Sequence, residues 1–551
     1  MSELVPVLTA VFVFSSALLL LMKRFSHPSI PAYIIAGIGV GFFFDQAQIL
    51  QLSQLGIAFL VFIFGLKTEP GRVKSVARES LATTLLQLSV VGIAAYIFAQ
   101  GIGLDLLNSL YLVIAASISS SLVGLELIEN EIRIDLLHGR LSESIHLVQD
   151  LFAVLAVLVV SSASLTFSAV SAHIMQGAGI VLLALAIRQF IFPFLAKETG
   201  SSTELMMLVG LASLTGFLGL AEVTGVSIVV GAFAAGLSVA KFPHNLEMLE
   251  TMGSLKDFFS VLFFASLGAL LSVPGIEALV IAVALTLSTI LLKPVVTAVS
   301  LLINGYDRRT SYLAALTLDQ VSEFSLIVAI QAFIAGTIAP ELFNAIIMTA
   351  TATMIYSAYT SRHEESIYDL ISRYSTIETT EAKLDEWTDV SESVEDHVIL
   401  VGYDTQGKSI AEDLKEEDEE FVVVENDPEK IIEARQNEDN YVFGDVMDDS
   451  TWRRAFEDRA RLIVSTVPQR KISLAVLDRE EPGDKILRAR DVEDAAELLE
   501  KGALYVEVPD IIASEQLIDH FKGMMENPDY REELRRKNLL ELRQYIQQEE
   551  G

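Results

Sequence analysis

Residues 142–160 read SESIHLVQDLFAVLAVLVV, an apolar run that carries a carboxylic acid, Asp150, in its middle. With its neighbours the run spans roughly residues 139–162, and about 20 apolar residues suffice to cross a bilayer as a helix. An ionisable group inside such a span costs ~2.5–3.5 kcal/mol on insertion scales, so one that persists there points to function. If this stretch crosses a membrane, Asp150 sits near its midplane, and the remainder of the chain has to be read the same way.

Composition agrees. Hydrophobic residues make up 52% of the 551, yet the net charge is −33. Charge and hydrophobicity are segregated: residues 1–360 carry a net −7 and the remainder −26. The chain therefore reads as a membrane half joined to an acidic second half. It has no cysteine, which excludes disulfides, thiolate metal sites and cysteine nucleophiles. Residues 1–22 are apolar with no basic segment ahead of them, and Lys23 and Arg24 follow, which reads as a retained helix rather than a cleaved signal.

The same length rule places thirteen membrane helices, near residues 3–25, 29–44, 49–66, 79–100, 105–127, 139–162, 168–195, 203–220, 224–240, 256–272, 276–302, 309–335 and 341–360. With the N-terminus outside, the inner connections and adjoining helix ends hold Lys23, Arg24, Lys67, Arg72, Lys74, Arg78, Arg133, Arg140, Lys197, Lys241, Lys256, Arg308 and Arg309. The outer ones hold only acids: Asp45, Asp105, Glu222, Glu277 and Glu341. This alternation follows the positive-inside rule and puts the C-terminal half in the cytoplasm.

Within the spans, ionisable residues are few. Besides Asp150 they are Lys293, Asp319 and Glu323, with Arg188 close enough to a helix end to snorkel. Helix five carries the polar run SISSS from Ser117, which fits either small-residue packing or unwinding around a cavity. Helix twelve carries LDQVSEF. The two lie seven helices apart, and an odd offset gives them opposite orientation, as an inverted repeat with paired broken helices would.

These stretches resemble the monovalent cation:proton antiporter-2 family, in its Kef-type potassium/proton branch. HPSIPAYIIAGIGVGF and LGIAFLVFIFGLKTEP fit its start; Ser119, Ser120, Ser121 and Leu122 stand at its helix-five signature; Gln149-Asp150 is its Gln-Asp element; Gln320 to Phe324 is its Gln-Gly-Ser-Glu-Phe element. Val321 replaces the glycine of that element, which predicts less backbone freedom where helix twelve unwinds. The resemblance implies an ion site drawn from Ser119, Ser120, Ser121, Gln149, Asp150, Lys293, Asp319 and Glu323, with Asp150 as carrier. Burial disfavours a bare carboxylate, so such a group holds either a proton or a cation, and that exclusion is the exchange. Gln149 stands where the electrogenic branch has an acid, which implies one-for-one electroneutral exchange, and Lys293 could neutralise the carrier between loads. His146, one turn before Asp150, reads either as a pH tuner or as a hydrogen-bonded core histidine. One acid with hydroxyls suits K⁺ or Na⁺. A ligand-gated K⁺ channel is a further reading, but the chain has no TVGYG-type filter.

After a charged linker, residues 363–395, HVILVGYDTQGKSIAEDL reads as strand, tight turn and helix, and FVVVENDPEK as a second strand ending in acids. This Rossmann-type rhythm, over residues 396–515, resembles the nucleotide-binding domain that regulates K⁺ channels and transporters. Gly402 and Gly407 hold the first and third glycine positions, but Asp404 replaces the second, where backbone approaches a pyrophosphate. With Thr405 and Gln406 in the loop, Glu425 and Asp427 after the second strand and Asp445 after Gly444, the candidate ligand is a nucleotide, AMP rather than NAD(H). The alternative is a degenerate fold that binds none. No catalytic constellation accompanies the unit, so an enzyme such as a dehydrogenase is not expected. The tail, residues 516–551, reads as a charged helix, and the resemblance implies a homodimer. The acidity argues against nucleic acid. It fits a high-salt cytoplasm or ordinary solvation equally. The expected architecture is a polytopic α-helical membrane protein, residues 1–362, of thirteen helices in inverted repeats with two crossed broken helices, followed by a C-terminal α/β Rossmann-type domain.

Overall fold

The computed structural model describes residues 4–23, 29–68, 76–128, 136–160, 166–199, 202–241, 244–374, 385–481, 483–526, 530–532 and 534–539. Arg24, Arg72, Lys74, Arg133, part of the linker and the end of the tail fall outside these residues. The chain divides into two compact units, Met1–Ala382 and Lys383–Gly551.

Among the described residues the first unit is helical. Its elements are α1 (Leu4–Lys23), α2 (Ser29–Gly41), α3 (Gln46–Lys67), α4 (Ala77–Gly101), α5 (Leu106–Ser117), α6 (Ser121–Leu127), α7 (Leu137–Val160) and α8 (Phe167–Ala186). There follow α9 (Thr203–Thr224), α10 (Ile228–Val239), α11 (His244–Ala269), α12 (Ile276–Leu287), α13 (Arg308–Leu316), α14 (Glu323–Ile334), α15 (Pro340–Arg362) and α16 (Glu364–Tyr374). Among the described residues ten helical stretches are long and apolar enough to cross a membrane, and three shorter apolar helices, Ser29–Gly41, Ile228–Val239 and Glu323–Ile334, accompany them. The apolar side chains point outward as well as inward: Leu182 and Phe190 are exposed while Ala184, on the same stretch, is buried. A helix apolar all round suits a lipid surround.

Two helices run on through a π-helical turn. α8 continues through Ile187–Ile191 into Phe192–Thr199, and α12 through Ser288–Leu292 into Lys293–Ile303. The second π turn immediately precedes Lys293, whose side chain is fully buried. The sequence pattern gives no sign of either turn.

Both polar runs break their helices. α5 ends at Ser117 and α6 starts at Ser121, with Ser120 as its N-cap accepting from the Val123 N–H. α13 ends at Leu316 and α14 starts at Glu323, with Ser322 as its cap accepting from the Phe324 N–H. Serine at these points starts the second half-helix, because its hydroxyl satisfies an N–H at that helix's first turn. Val321, where a glycine was expected to ease the unwinding, is buried and has no positive φ, so the break asks nothing of it that only glycine can give.

The second unit is a six-stranded parallel sheet in the order β3-β2-β1-β4-β5-β6. β1 is His397–Val401, β2 Phe421–Glu425, β3 Tyr441–Phe443, β4 Ala460–Ser465, β5 Asp484–Arg488 and β6 Tyr505–Glu507. β1, β2 and β3 are buried along their whole length, as strands covered on both faces must be. The chain order reverses between β1 and β4, the switch point at which open α/β sheets bind ligands. The unit reaches back before residue 396: Asp389 bridges Tyr441, and the Trp387 ring lies 5.1 Å from that of Phe443. The closing helix, α22 (Pro509–Glu526) when the second unit's helices are counted on from α16, runs unbroken across the residue 515/516 boundary read from the sequence.

Candidate functional site

A helix that stops inside a membrane leaves N–H and C=O groups with no water to pair them. The two breaks largely satisfy each other. The Ser322 N–H donates to the Ile118 carbonyl at 3.2 Å, the Ser119 hydroxyl to the Leu318 carbonyl at 3.0 Å, and Gln320 Nε2 to the Ser120 carbonyl at 3.1 Å. Lys293 Nζ donates to one carbonyl of each break, Ile118 at 3.2 Å and Gln320 at 2.7 Å. The helices flanking the pair supply the rest: Gln149 Oε1 on α7 accepts from the Ser119 N–H, and Thr353 Oγ1 on α15 from the Val321 N–H.

Around this crossing the carboxylates divide into two kinds. Asp319 is fully buried, accepts the Thr360 hydroxyl at 2.6 Å, and lies away from the cavity described next. Glu323 heads α14 and also reaches the start of α6, where its Oε1 accepts the Ser121 hydroxyl at 2.8 Å and the Leu122 N–H at 3.2 Å. One negative charge thus serves two helix N-termini, which attract it. Asp150 differs from both: it is buried, and neither of its oxygens has a hydrogen-bond partner.

Asp150, Ser121 and Glu323 line a cavity of about 670 Å³, which also takes in Lys67, Glu126 and Glu143. Of the residues singled out in the sequence, the structure therefore brings Asp150, Ser121 and Glu323 to one space. Ser119, Ser120, Gln149 and Lys293 are tied instead to backbone groups of the breaks. His146 takes its hydrogen-bonded core arrangement, with Nδ1 2.8 Å from the Ser142 carbonyl. Gln87 on α4 was not singled out, because one neutral amide in an apolar helix breaks no pattern. It is fully buried and bonded to both Ser117 and Gln149.

The sodium/hydrogen exchanger, transmembrane family matches residues 10–361 of this chain. The chain belongs to that family. The TrkA-N domain matches this exchanger's residues 398–509. Among its relatives the exchanger is 23% identical to the putative cation/proton antiporter YbaL of Escherichia coli, over 91% of this chain and 95% of that one. It is 25% identical to the glutathione-regulated potassium-efflux system protein KefC of Shigella flexneri, over 89% and 81%. These relatives meet the Kef-type resemblance carried by the motifs. The sodium proton antiporter MjNhaP1 of Methanocaldococcus jannaschii shares the exchanger fold, with a TM-score of 0.51 over 66% of this chain and 97% of that one at 15% identity.

In the exchanger's second unit the loop after β1 has the shape of a phosphate cradle. Gly402 has φ +94, and a Cβ on Gly407 would fall 2.1 Å from the Gly402 carbonyl, so both positions require glycine. The side chains around it are engaged elsewhere. Asp404 caps the helix Thr405–Glu416 by accepting from the Gly407 N–H, which sets a carboxylate where a phosphate would approach. Gln406 Nε2 donates to Glu507, and Asp445 Oδ1 accepts the Met447 N–H within its own turn. The Asp427 N–H donates to Glu425.

Glu425 was expected to face ribose hydroxyls. It is 6% exposed, and its carboxylate accepts three backbone N–H groups: Tyr403 at 2.7 Å, Asn426 at 2.8 Å and Asp427 at 2.9 Å. The loop backbone keeps the glycine geometry of a nucleotide-binding turn, whereas Glu425 presents no free carboxylate to a ligand.

Proposed function

We propose that this protein is a secondary antiporter that exchanges K⁺ for protons at Asp150. The observation that carries the reading is a buried carboxylate with no hydrogen-bond partner, opening onto a cavity that also holds Ser121 and Glu323, beside two crossed half-helix pairs. A charge desolvated in this way must be neutralised. A proton does so, and so does a cation, and the two cannot do it together. The Ser121 hydroxyl and the cavity carboxylates supply the oxygens that hard monovalent cations take as ligands. With both ends of the Gln149 amide engaged, Asp150 is the single exchanging carboxylate at that pair of positions, and exchange is electroneutral.

The alternation of basic residues at helix ends supports an N-terminus outside and a C-terminal unit in the cytoplasm, and the membrane of this reading is the plasma membrane. That unit regulates transport as a homodimer through a bound nucleotide. Asp404 at the helix N-terminus opposes a pyrophosphate and favours a mononucleotide such as AMP.

Proton flux into proteoliposomes under K⁺, Na⁺ and Rb⁺ gradients tests the exchange. Flux that follows K⁺ and is indifferent to membrane potential is expected. Flux that follows only Na⁺ would move the assignment to Na⁺/H⁺ exchange. Ion current without proton movement would make the protein a channel. Calorimetric titration with AMP, ATP and NADH tests the regulatory ligand, and no binding at millimolar concentration would leave the unit a dimerisation module.

A further inference from the structure

The first break rests on a chain of amides whose direction is fixed from one end. The Ser119 N–H can only donate, so the atom of Gln149 that it meets at 2.8 Å is the carbonyl oxygen. The Gln149 amino group then faces Gln87 at 3.0 Å and needs an oxygen there. The Gln87 amino group in turn faces the Ser117 carbonyl at 2.9 Å, which can only accept. The Thr297 hydroxyl lies 3.0 Å from the same Gln87 oxygen. Gln87, Gln149, Ser119 and Thr297 are all fully buried, so no water competes for these bonds. Each end of the chain is a backbone group released by the break, Ser117 C=O on one side and Ser119 N–H on the other.

Gln87 stands in the fourth membrane segment and Lys293 in the eleventh, the same spacing of seven that separates the broken helices. Each donates to a carbonyl that a break has freed. The sixth and thirteenth segments match in the same way, Gln149 accepting Ser119 N–H and Thr353 accepting Val321 N–H. The first repeat thus holds its break with a neutral amide where the second uses an ammonium.

We propose that Gln87 is a positioning residue for exchange, and that Gln149 works through it to hold the Ser119–Ser121 segment against Asp150 rather than by binding the cation. This rests on the exchange reading above. Both polar atoms of Gln149 are engaged in the relay and Gln149 does not line the cavity, whereas Ser121, two residues beyond the amide it fixes, shares the cavity with Asp150.

Full-length protein in proteoliposomes, carrying Gln87→Met, Gln149→Met or both, tests it. Each single substitution should raise the half-saturating cation concentration about tenfold, the weight of one lost buried hydrogen bond. The K⁺:Na⁺:Rb⁺ ratio should stay unchanged, and the double variant should be no worse than the singles. Hydrogen exchange at the Ser119 amide should accelerate in all three variants. If Gln87→Met does not fold, Thr297→Val removes only the outer hydroxyl and should give a two- to threefold rise with the same ion ratio. The proposal is overturned if Gln149→Met shifts the ion ratio while Gln87→Met leaves transport unchanged. It is also overturned if the two effects multiply, or if the Ser119 amide exchanges at the wild-type rate. Wild-type vesicles that move no protons would sink the exchange reading instead, and the Ser119 amide would still decide whether the relay holds the break.

Discussion

Asp150 and Glu425 are both buried carboxylates, 1% and 6% exposed, in the two units of one chain. From sequence both read as ligand-binding acids. Their surroundings separate them. Glu425 accepts three backbone N–H groups that bind the strand end to the glycine loop, and these offset part of the cost of removing its charge from water. Asp150 accepts none. A buried charge with its partners built in holds a structure together, whereas one without them must take a partner from solution. On the proposed exchange reading, the hydrogen-bond inventory, not the burial, distinguishes the structural acid from the working one.

The largest effect that could break this comparison is expected at Asp150. Asp150→Asn keeps the shape and removes the group that can cycle a proton, so cation-driven proton flux should vanish while thermal stability holds or rises. Residual flux above about a tenth of wild type would mean that Glu323 or Asp319 carries the ion. Lys293 provides the next test, because it is a buried charge of the Glu425 kind: its ammonium donates to carbonyls of both breaks. Lys293→Met should leave at least the Gln320 carbonyl short of its donor, at about 1–3 kcal/mol, and no water reaches it in a membrane interior. The variant should melt several degrees lower in detergent. Unchanged melting with abolished transport would give Lys293 the part of a counter-charge to the carrier instead.

Much of this was legible beforehand because membrane segments amplify polar residues. SISSS, LDQVSEF and Asp150 interrupt apolar runs and stand out from them. The features that sequence does not announce are polar but quiet. Gln87 is a single amide, and its importance lies in facing Ser117 and Gln149 across helix contacts that sequence spacing does not reveal. The two π-helical turns have no composition of their own. In the second unit the Rossmann rhythm was plain, but the tasks of its acids were not. Asp404 and Glu425 sit at ligand-facing positions of the pattern, and only coordinates show that one caps a helix and the other ties down backbone. The contacts of that unit before residue 396 leave no mark in the sequence pattern, because Trp387 and Asp389 join the sheet edge through one ring contact and one bridge.

The smallest expected effect concerns Glu425, and the protein carries its own probe for it. Its two tryptophans, Trp387 and Trp452, both lie in the second unit, so fluorescence of the full chain reports melting of that unit alone. Glu425→Ala strands donors that were paired, at about 1–3 kcal/mol for a buried one, or about 2–4 °C per kcal/mol for a unit of this size. Glu425→Gln is subtler. Burial lifts the Glu425 carboxyl above its ordinary 4.5, against the pull of Lys430 and the three backbone donors. The folded unit therefore holds this proton more tightly than the unfolded chain does. The stability so gained is fully present below pH 4.5 and is lost as pH rises through the folded value. Glu425→Gln removes that titration, so its melting temperature should fall less steeply than wild type as pH rises from 4.5 toward neutrality. If both variants melt like wild type at every pH while AMP binding weakens, Glu425 faces the nucleotide after all, and the two carboxylates belong to one class.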